Sequence, residues 1–244
     1  MSFKLKNDPA ILSRPDAKRN YNRLLFAEVA PKYHRITRLM SFFMDAAWKS
    51  SLMSRLPVII DGPVLDIATG TGDLLALAIR RWPLAALVGC DLSPAMLSLA
   101  RRRVKSGKIM LSCQDMSTLA VRSGSMAIIT GGYALRNAPD LRATLAECFR
   151  VLKSGGAAAF LDFSRSPINA LFCVQYWLLR LWGGFWGLVM HGNPAVYAYI
   201  AESLRLFPDR NTLRGILADV GFVNISIRGK MFGLIDLIVT HKPV

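Results

Sequence analysis

Residues Val64–Asp73 read VLDIATGTGD, and Gly89–Leu97 read GCDLSPAML. Together they spell a strand, a tight glycine turn, a helix, a second strand and an acid at that strand's end. This is the layout of a nucleotide-type cofactor site at the edge of a parallel sheet. Val64, Leu65 and Ile67 are apolar enough for a strand buried on both faces. Gly70 and Gly72 permit unusual backbone angles and the close approach of a ligand. Asp91 is placed to accept hydrogen bonds from both hydroxyls of a ribose.

The turn itself discriminates between cofactors. A dinucleotide fingerprint carries a third glycine that lets the helix pack close to the strand beside a pyrophosphate. Here the chain runs Gly70-Thr71-Gly72-Asp73-Leu74-Leu75, with no third glycine. Asp73 stands at the helix start and Asp66 lies inside the motif, so the surroundings are negative where a pyrophosphate needs the opposite. Two carboxylates beside the turn suit a cationic ligand, and S-adenosylmethionine, with its sulfonium and ammonium groups, is the expected cofactor. A nicotinamide oxidoreductase is further disfavoured because no Tyr-x-x-x-Lys pair occurs in the chain.

Composition narrows the class. At 244 residues, 52% hydrophobic and 19% charged, the chain has room for a full core and is globular rather than disordered. Its mean hydropathy of +0.32 points to an apolar substrate or a membrane-facing surface. Cys90, Cys113, Cys148 and Cys173 have no CxxC spacing, which argues against a zinc site or a disulfide framework and for a reducing, cytoplasmic setting. The N-terminal MSFKLKNDPA lacks the apolar run of a signal peptide. The net charge is +15, with basic residues crowded among Lys18, Arg19, Arg23, Lys32, Arg35 and Arg38, and again at Arg101–Arg103 and Lys105. Nucleic acid, an anionic membrane surface or a plain solvated face would each accommodate that charge. The aromatic-interleaved basic segments of single-strand binders are missing, and no nucleic-acid partner is expected.

The rest of the chain alternates strand with helix. Helices are predicted over residues 16–56, the first with a stripe of Tyr21, Leu24, Leu25 and Val29 broken at Pro31, the second over Arg38–Leu56. Strands follow at Val64–Ala68, Leu87–Cys90, Ile109–Cys113, Ala127–Gly131 and Ala157–Phe163. Between them lie helices starting at Asp73, at the Ser93-Pro94 cap and at Asp140; Gly107 ends the second and Lys153–Gly156 stops the third. Leu213, Ile216, Leu217 and Val220 mark a last helix ended by Gly221, and Phe222–Arg228 and Leu234–Thr240 close the sheet. Alternation of this kind predicts an α/β fold with a doubly wound, Rossmann-like, seven-stranded sheet.

Residues 167–190 interrupt the pattern with a long apolar stretch. Arg180, Gln175 and a break at Gly183-Gly184 weigh against a membrane span, and so does its position between strands of one sheet. It is predicted to be a helical insertion over the carboxyl edge of the sheet. There Trp177, Trp182 and Trp186 line a greasy pocket or rest in a membrane interface.

Four segments resemble the ubiquinone/menaquinone biosynthesis C-methyltransferases, and the resemblance runs from about Phe26 to His241. They are FAEVAPKY (Phe26–Tyr33) with Trp48-Lys49, VLDIATGTGDL, the stretch Tyr133–Pro167 containing Leu135-Arg136-Asn137, and AYIAESLRLFPD (Ala198–Asp209) with its Tyr199, Glu202 and Ser203. The glycine loop is shared by many methyltransferases; the Leu-Arg-Asn and Tyr-x-x-Glu-Ser patterns are far more specific. The resemblance implies methyl transfer from S-adenosylmethionine to a ring carbon of a polyprenyl quinol, either demethylmenaquinol or a methoxy-benzoquinol. It implies cofactor contacts at Thr71, Asp91, Asp115, Met116 and Gly132, beside Asp66, Gly70 and Gly72 of the turn, and catalytic roles for Arg136, Asn137 and Tyr33. It further implies one domain over residues 1–244, with an N-terminal helical cap at 16–56 and a substrate-covering insertion at 166–205. A peripheral enzyme at the inner face of the membrane is the matching expectation, with a homodimer compatible with it. The chain departs from the family at His34, Tyr133-Ala134, Ser154 and Gly132, where an acid, Phe-Gly, proline and in some members serine are usual.

The chemistry sets requirements of its own. An aromatic carbon is a weak nucleophile until a neighbouring hydroxyl loses its proton. Arg136 suits the stabilisation of the resulting oxyanion, while Asn137 and Tyr33 suit orientation of the hydroxyl or of a water. A guanidinium is too basic to give up its own proton, so any part of Arg136 in deprotonation runs through water. Asp162, at the end of the fifth strand, is expected either to touch substrate or to cap a turn, and pairing with an acid at that edge is the alternative to a catalytic role for Arg136. His34, His191 and His241 are isolated in sequence and read as structural. The competing classes are a methyltransferase acting on RNA or another acceptor and a non-catalytic cofactor-binding scaffold.

Overall fold

The computed structural model describes residues 9–104 and 109–244. The opening MSFKLKND, Lys105 and Gly107 therefore lie outside the described residues. Seven strands form one sheet: β1 (Val64–Ile67), β2 (Leu87–Asp91), β3 (Ile109–Cys113), β4 (Met126–Gly132), β5 (Leu152–Phe163), β6 (Val223–Lys230) and β7 (Ile235–His241). Their order across the sheet is β3-β2-β1-β4-β5-β7-β6. The first five run parallel, and β7 lies antiparallel to both β5 and β6. After β1 the chain winds outward to β3 and returns to β4 on the other side of β1. The carboxyl ends of β1 and β4 therefore diverge and leave a crevice.

Apolar strands explain the centre of the sheet. Leu65, Ile67, Ile129, Ala158 and Phe160 are buried on one face, and Val64, Ile128, Ala157, Ala159 and Leu161 on the other, each face covered by helices. Those helices are α5 (Asp73–Arg81), α6 (Pro94–Arg103), α7 (Leu141–Val151) and α10 (Arg210–Val220), with α1 (Pro9–Leu12) to α4 (Asp45–Met53) preceding the sheet. Side chains set the starts of α6, α7 and α10: Ser93 accepts from Met96 N at 3.4 Å, Asp140 from Ala143 N at 3.0 Å and Asp209 from Thr212 N at 3.0 Å.

Three expectations are corrected. The helix predicted over Arg38–Leu56 is two, α3 (Tyr33–Met40) and α4, separated by a turn in which Phe42 and Phe43 have φ of 50° and 64°. Strand β5 starts directly from α7 at Leu152. Residues Lys153–Gly156 form an irregularity inside it, where the register with β4 jumps between Met126 and Ile128. The Gly183-Gly184 pair does not break α8 (Asn169–His191), which is continuous for 23 residues.

The reason for the last correction lies in α9 (Ala195–Arg205), which packs antiparallel-fashion back along α8 after the turn at Gly192. A Cβ on Gly183 would stand 2.4 Å from Tyr197 O, and one on Gly187 2.7 Å from Asn193 O. The two glycines let the backbones approach, and that packing offsets the roughly 1 kcal/mol each glycine costs a helix. Gln175 pins the other end, donating to Ser164 O and accepting from Ser166 N at 3.2 Å. Among the described residues no helix is long and apolar enough to cross a membrane. Replacing Gly183 with Ala is expected to lower unfolding stability by about 1–3 kcal/mol. Urea denaturation checks this, and an unchanged midpoint would remove the close approach as the reason for the glycine.

Candidate active site

The floor of the crevice is the turn after β1. Ala68 leaves the strand with φ 46°, and Gly70 and Gly72 continue with 54° and 81°. Asp91, at the end of β2, holds this turn from the side: its Oδ2 accepts Gly70 N at 2.8 Å and its Oδ1 accepts Ser93 N at 2.8 Å. Each oxygen retains a lone pair for a ligand hydroxyl. Burial pushes the Asp91 pKa up, against the hydrogen bonds from Ser93 and Gly70.

Two of the acids expected to face a cation are otherwise engaged. Asp66 is buried and accepts from Thr130 Oγ1 at 2.7 Å and from Thr69 Oγ1, tying β1 to β4 and to the turn. Its burial raises the carboxyl to about 7, with the threonine hydroxyls opposing the rise. Asp73 pairs with Lys49 Nζ at 2.6 Å and with Arg103. Lys49 is also 2.7 Å from Asp45, whose other oxygen accepts from Tyr133 Oη at 2.8 Å. Burial alone would lower the Lys49 pKa; the two carboxylates overcome it and hold the ammonium above its usual range. The charge of Asp73 is thus matched within the protein, while Asp91 lines the groove with only backbone N–H donors at its carboxylate among the described residues.

Gly70, Asp91, Asp115, Met116 and Gly132 line one groove, and Asp66, Gly70, Thr71 and Gly132 line its continuation beside β4. Gly72 lies outside both linings; a Cβ there would stand 2.8 Å from Val104 Cγ2, so its role is to admit α6. Asp115 accepts from Ser117 N at 2.8 Å and from Arg19 of α2 (Pro15–Val29). Burial works to raise the Asp115 pKa, but these donors outweigh it and hold the carboxyl low. The groove fits S-adenosylmethionine on two observations. Thr71 Oγ1 is buried with no hydrogen-bond partner among the described residues, beside the continuation that would take the polar amino-acid end. At Gly132 the bare backbone lines both parts of the groove, and an added Cβ would meet Leu74 Cδ1 at 3.3 Å.

A second, larger cavity of about 390 Å³ adjoins the groove. Its walls are apolar, with Leu25, Ile36, Met40, Trp182 and Ile235 among them. Among the described residues, Phe26, Tyr33, Tyr133 and Asn137 line both spaces. The three residues singled out for catalysis, Arg136, Asn137 and Tyr33, come together here. Arg136 is buried, its Nε 3.5 Å from Asp162 Oδ1 and its backbone N donating to Asp162 Oδ2 at 2.9 Å. Its Nη1 donates to Ser203 Oγ, and the guanidinium lies 5.2 Å and 5.7 Å from the rings of Phe163 and Tyr199. Asp162 thus pairs with Arg136; burial raises its pKa and Arg136 opposes the rise. Asn137 donates to Tyr133 O at 2.7 Å and accepts from Tyr199 Oη at 3.0 Å. Tyr33 is kept protonated by burial, which lifts its hydroxyl to about 12.

Residues not singled out in the sequence complete this cluster. Asn22 Oδ1 lies 2.7 Å from Tyr199 Oη, sharing that hydroxyl's single proton with Asn137 Oδ1, and Asn22 Nδ2 donates to Asn137 O at 2.7 Å. Lys18 donates to Arg136 O at 3.0 Å, and burial, aided by the Arg136 charge, brings it down to about 8. Asp45 and Lys49 brace Tyr133. The Tyr-x-x-Glu-Ser pattern was the available signal: Tyr199 and Ser203 reach Asn137 and Arg136, while Glu202 ties α9 to Tyr176 and Arg180 of α8. His191 is not isolated, since it meets Tyr197 Oη at 2.9 Å and Glu28 at 3.3 Å.

Strand order, glycine turn and acid at the end of β2 define an S-adenosylmethionine-dependent methyltransferase fold. A possible histamine N-methyltransferase from Thermotoga maritima shares it with a TM-score of 0.65 at 17% identity, over 90% of this chain and 99% of that one. A model described as the ubiE/COQ5 methyltransferase family matches residues 15–242, and the chain belongs to that family. Demethylmenaquinone methyltransferase of Thermus thermophilus is 32% identical over 90% of this chain and its own entire length. Ubiquinone/menaquinone biosynthesis C-methyltransferase UbiE of Geobacter sulfurreducens is 30% identical over 98% of this chain and 95% of that one. The chain is a methyltransferase, and S-adenosylmethionine is its cofactor.

Two outcomes are expected of the cofactor groove. Asp91→Ala weakens S-adenosylmethionine binding by about 10- to 100-fold in calorimetry; retained affinity would mean the ribose is held elsewhere. The second concerns pH. The Asp66 pKa is higher folded than unfolded, so the native state holds a proton that the unfolded chain releases. Stability therefore falls as pH rises from about 4 to about 7, and Asp91 and Asp162 act with the same sign. Thermal unfolding of Asp66→Asn should lose less stability between about pH 5 and about pH 8 than the wild type does. Parallel curves would place Asp66 in the ionised form throughout.

Proposed function

We propose that this methyltransferase methylates a ring carbon of a polyprenyl quinol, demethylmenaquinol or a methoxy-benzoquinol with a long isoprenoid tail. The observation that carries the reading is the apolar cavity of about 390 Å³, joined to the cofactor groove through four side chains and bearing the fixed cation Arg136. The relatives' names support it, since they specify demethylmenaquinone and ubiquinone/menaquinone biosynthesis. In this reading residues 16–56 cap the site and 166–205 cover the substrate.

Bound S-adenosylmethionine supplies an electrophilic methyl group. The protein's part is to make the ring carbon nucleophilic and to aim it. Loss of a proton from the quinol hydroxyl to water places negative charge on oxygen and, by conjugation, on the ring carbon. Arg136 stabilises that charge. Its guanidinium is held by Asp162 and Ser203 and stacked near Phe163 and Tyr199, so it does not reorganise as charge develops. Tyr33, protonated at neutral pH and lining both spaces, donates to the quinol oxygen or an ordered water. Asn137 sets the separation of groove and cavity through its bonds to Tyr133 and Tyr199. Methylation at the ring carbon would release that carbon's hydrogen as a proton to water, restoring aromaticity, and the quinol oxygen would regain the proton it lost. The apolar walls exclude water that would solvate the phenolate and blunt its reactivity.

The test is transfer of labelled methyl from S-adenosylmethionine to reduced demethylmenaquinone in detergent. Methylated quinol is expected from the wild type. In Arg136→Ala kcat falls by about 10²–10³, with cofactor affinity by calorimetry unchanged. No transfer to either quinol ring, despite tight cofactor binding, would overturn the substrate.

A further inference from the structure

No described residue covers the outer face of α8. Leu171, Val174, Leu178, Leu181, Phe185 and Leu188 recur at helical spacing on one side and are all more than half exposed. A contiguous apolar stripe of this length is unusual on a surface that meets only water. Two loops add to it. Phe42 and Phe43 between α3 and α4, and Met231 and Phe232 between β6 and β7, all have φ between 48° and 64°. That conformation is costly for bulky residues, and here it turns Phe43 and Phe232 outward, the latter fully exposed. Both loops border the apolar cavity: Phe42 and Met231 line it, as does Leu178, which is itself 61% exposed. Phe42 stacks on Trp182 at 5.4 Å, so the cavity reaches the surface along a rim of side chains belonging to this apolar face.

Cations accompany the apolar groups. The Arg38 guanidinium lies 5.4 Å from the Phe43 ring, and Arg165 lies 4.7 Å from Phe172 at the start of α8. Lys230 directly precedes Met231. The acid nearest the middle of α8, Glu202, is buried and already held by Tyr176 and Arg180. Exposed aromatics with basic neighbours match an interface of acyl chains and anionic headgroups. A second copy is a poorer occupant, because it would set a net charge of +15 against another +15.

We propose that the outer face of α8, with the Phe42–Phe43 and Met231–Phe232 loops, docks on an anionic lipid bilayer, and that the substrate cavity opens directly onto that bilayer. The proposal rests on the polyprenyl-quinol reading for its purpose, but its physical basis is separate. A quinol with an isoprenoid tail then passes from bilayer to cavity between Phe42, Leu178 and Trp182 without crossing water. Arg136 waits at the inner end, and the tail remains along the apolar wall.

The test uses the full chain and extruded vesicles, one set of phosphatidylcholine and one also containing phosphatidylglycerol. Co-sedimentation with the anionic vesicles is expected, weakened by salt. The variant L181E/F185E, whose positions lie outside the cavity lining, is expected to bind those vesicles more than about tenfold more weakly. Its cofactor affinity and its methylation of a tail-less quinol in solution stay at the wild-type level. R38Q is expected to lose about fivefold in vesicle binding. The proposal is overturned if the wild type ignores anionic vesicles at low salt, or if L181E/F185E binds them undiminished. It is also overturned if light scattering shows a wild-type dimer that the double variant splits with vesicle binding unchanged, which would assign the face to a second copy. Vesicle binding without methylation of any quinol would instead remove the substrate reading and leave the docking surface standing.

Discussion

A cation must stay fixed at the end of an apolar cavity, and much of the molecule is arranged around that demand. Arg136 and Asp162 form an ion pair away from bulk water, where desolvation of both charges costs several kcal/mol each. Further hydrogen bonds hold the pair in place. Asp162 receives the backbone N of Arg136 at 2.9 Å and of Phe163 at 2.8 Å, while Arg136 reaches Ser203 on α9. Lys18 adds a second positive group at the Arg136 carbonyl. Two cations against one carboxylate leave an excess of positive charge. That excess is costly for the empty protein and complementary to an oxygen that becomes negative during reaction. Burial is the main reason the Lys18 pKa falls to about 8, and the Arg136 charge adds to the fall.

The central sheet was legible because its determinants are local. Strand, glycine turn and capped helix each follow from residues within a few positions of one another, as at Ser93-Pro94-Met96. The interior of the site was less so. Asp73 and Asp66 read as free negative charge near the turn, yet Lys49 reaches Asp73 from 24 positions away and Thr130 reaches Asp66 from 64. Hydrogen-bond partners at such separations leave no periodic trace in a single sequence. S-adenosylmethionine was still the correct inference, since the missing third glycine and Asp91 carry it without the other two acids.

The insertion shows a different kind of blindness. Gly183-Gly184 in an apolar run reads as a helix break when only α8 is considered. The structure keeps the helix and uses Gly183 and Gly187 to admit the backbone of α9. Intrinsic propensity is a weak prior that tertiary packing overrides. The reverse happened at Phe42-Phe43, where an uninterrupted pattern without glycine or proline hides a sharp turn. In both places the sequence rule failed at a segment bordering the substrate cavity, where local preference yields to the shape of the site.

One helix relates the two halves of that site. Along α2, Arg19 reaches Asp115 at one end of the cofactor groove, Asn22 joins Tyr199 to Asn137, and Lys18 reaches the carbonyl of Arg136. Three contacts within five residues span less than about 8 Å of helix axis, at 1.5 Å per residue. They link β3's trailing loop, the turn after β4 and the insertion to a single rigid rod. A methyl transfer in line requires the cofactor's sulfur, the methyl and the ring carbon to be set within tenths of an ångström. Those groups are bound by different parts of the sheet edge, and no strand connects them directly. A short helix that grips both sides fixes their separation through its own hydrogen-bonded geometry. Sliding it by one residue would break all three contacts at once, so the register of α2 and the alignment of the reacting atoms are one and the same constraint.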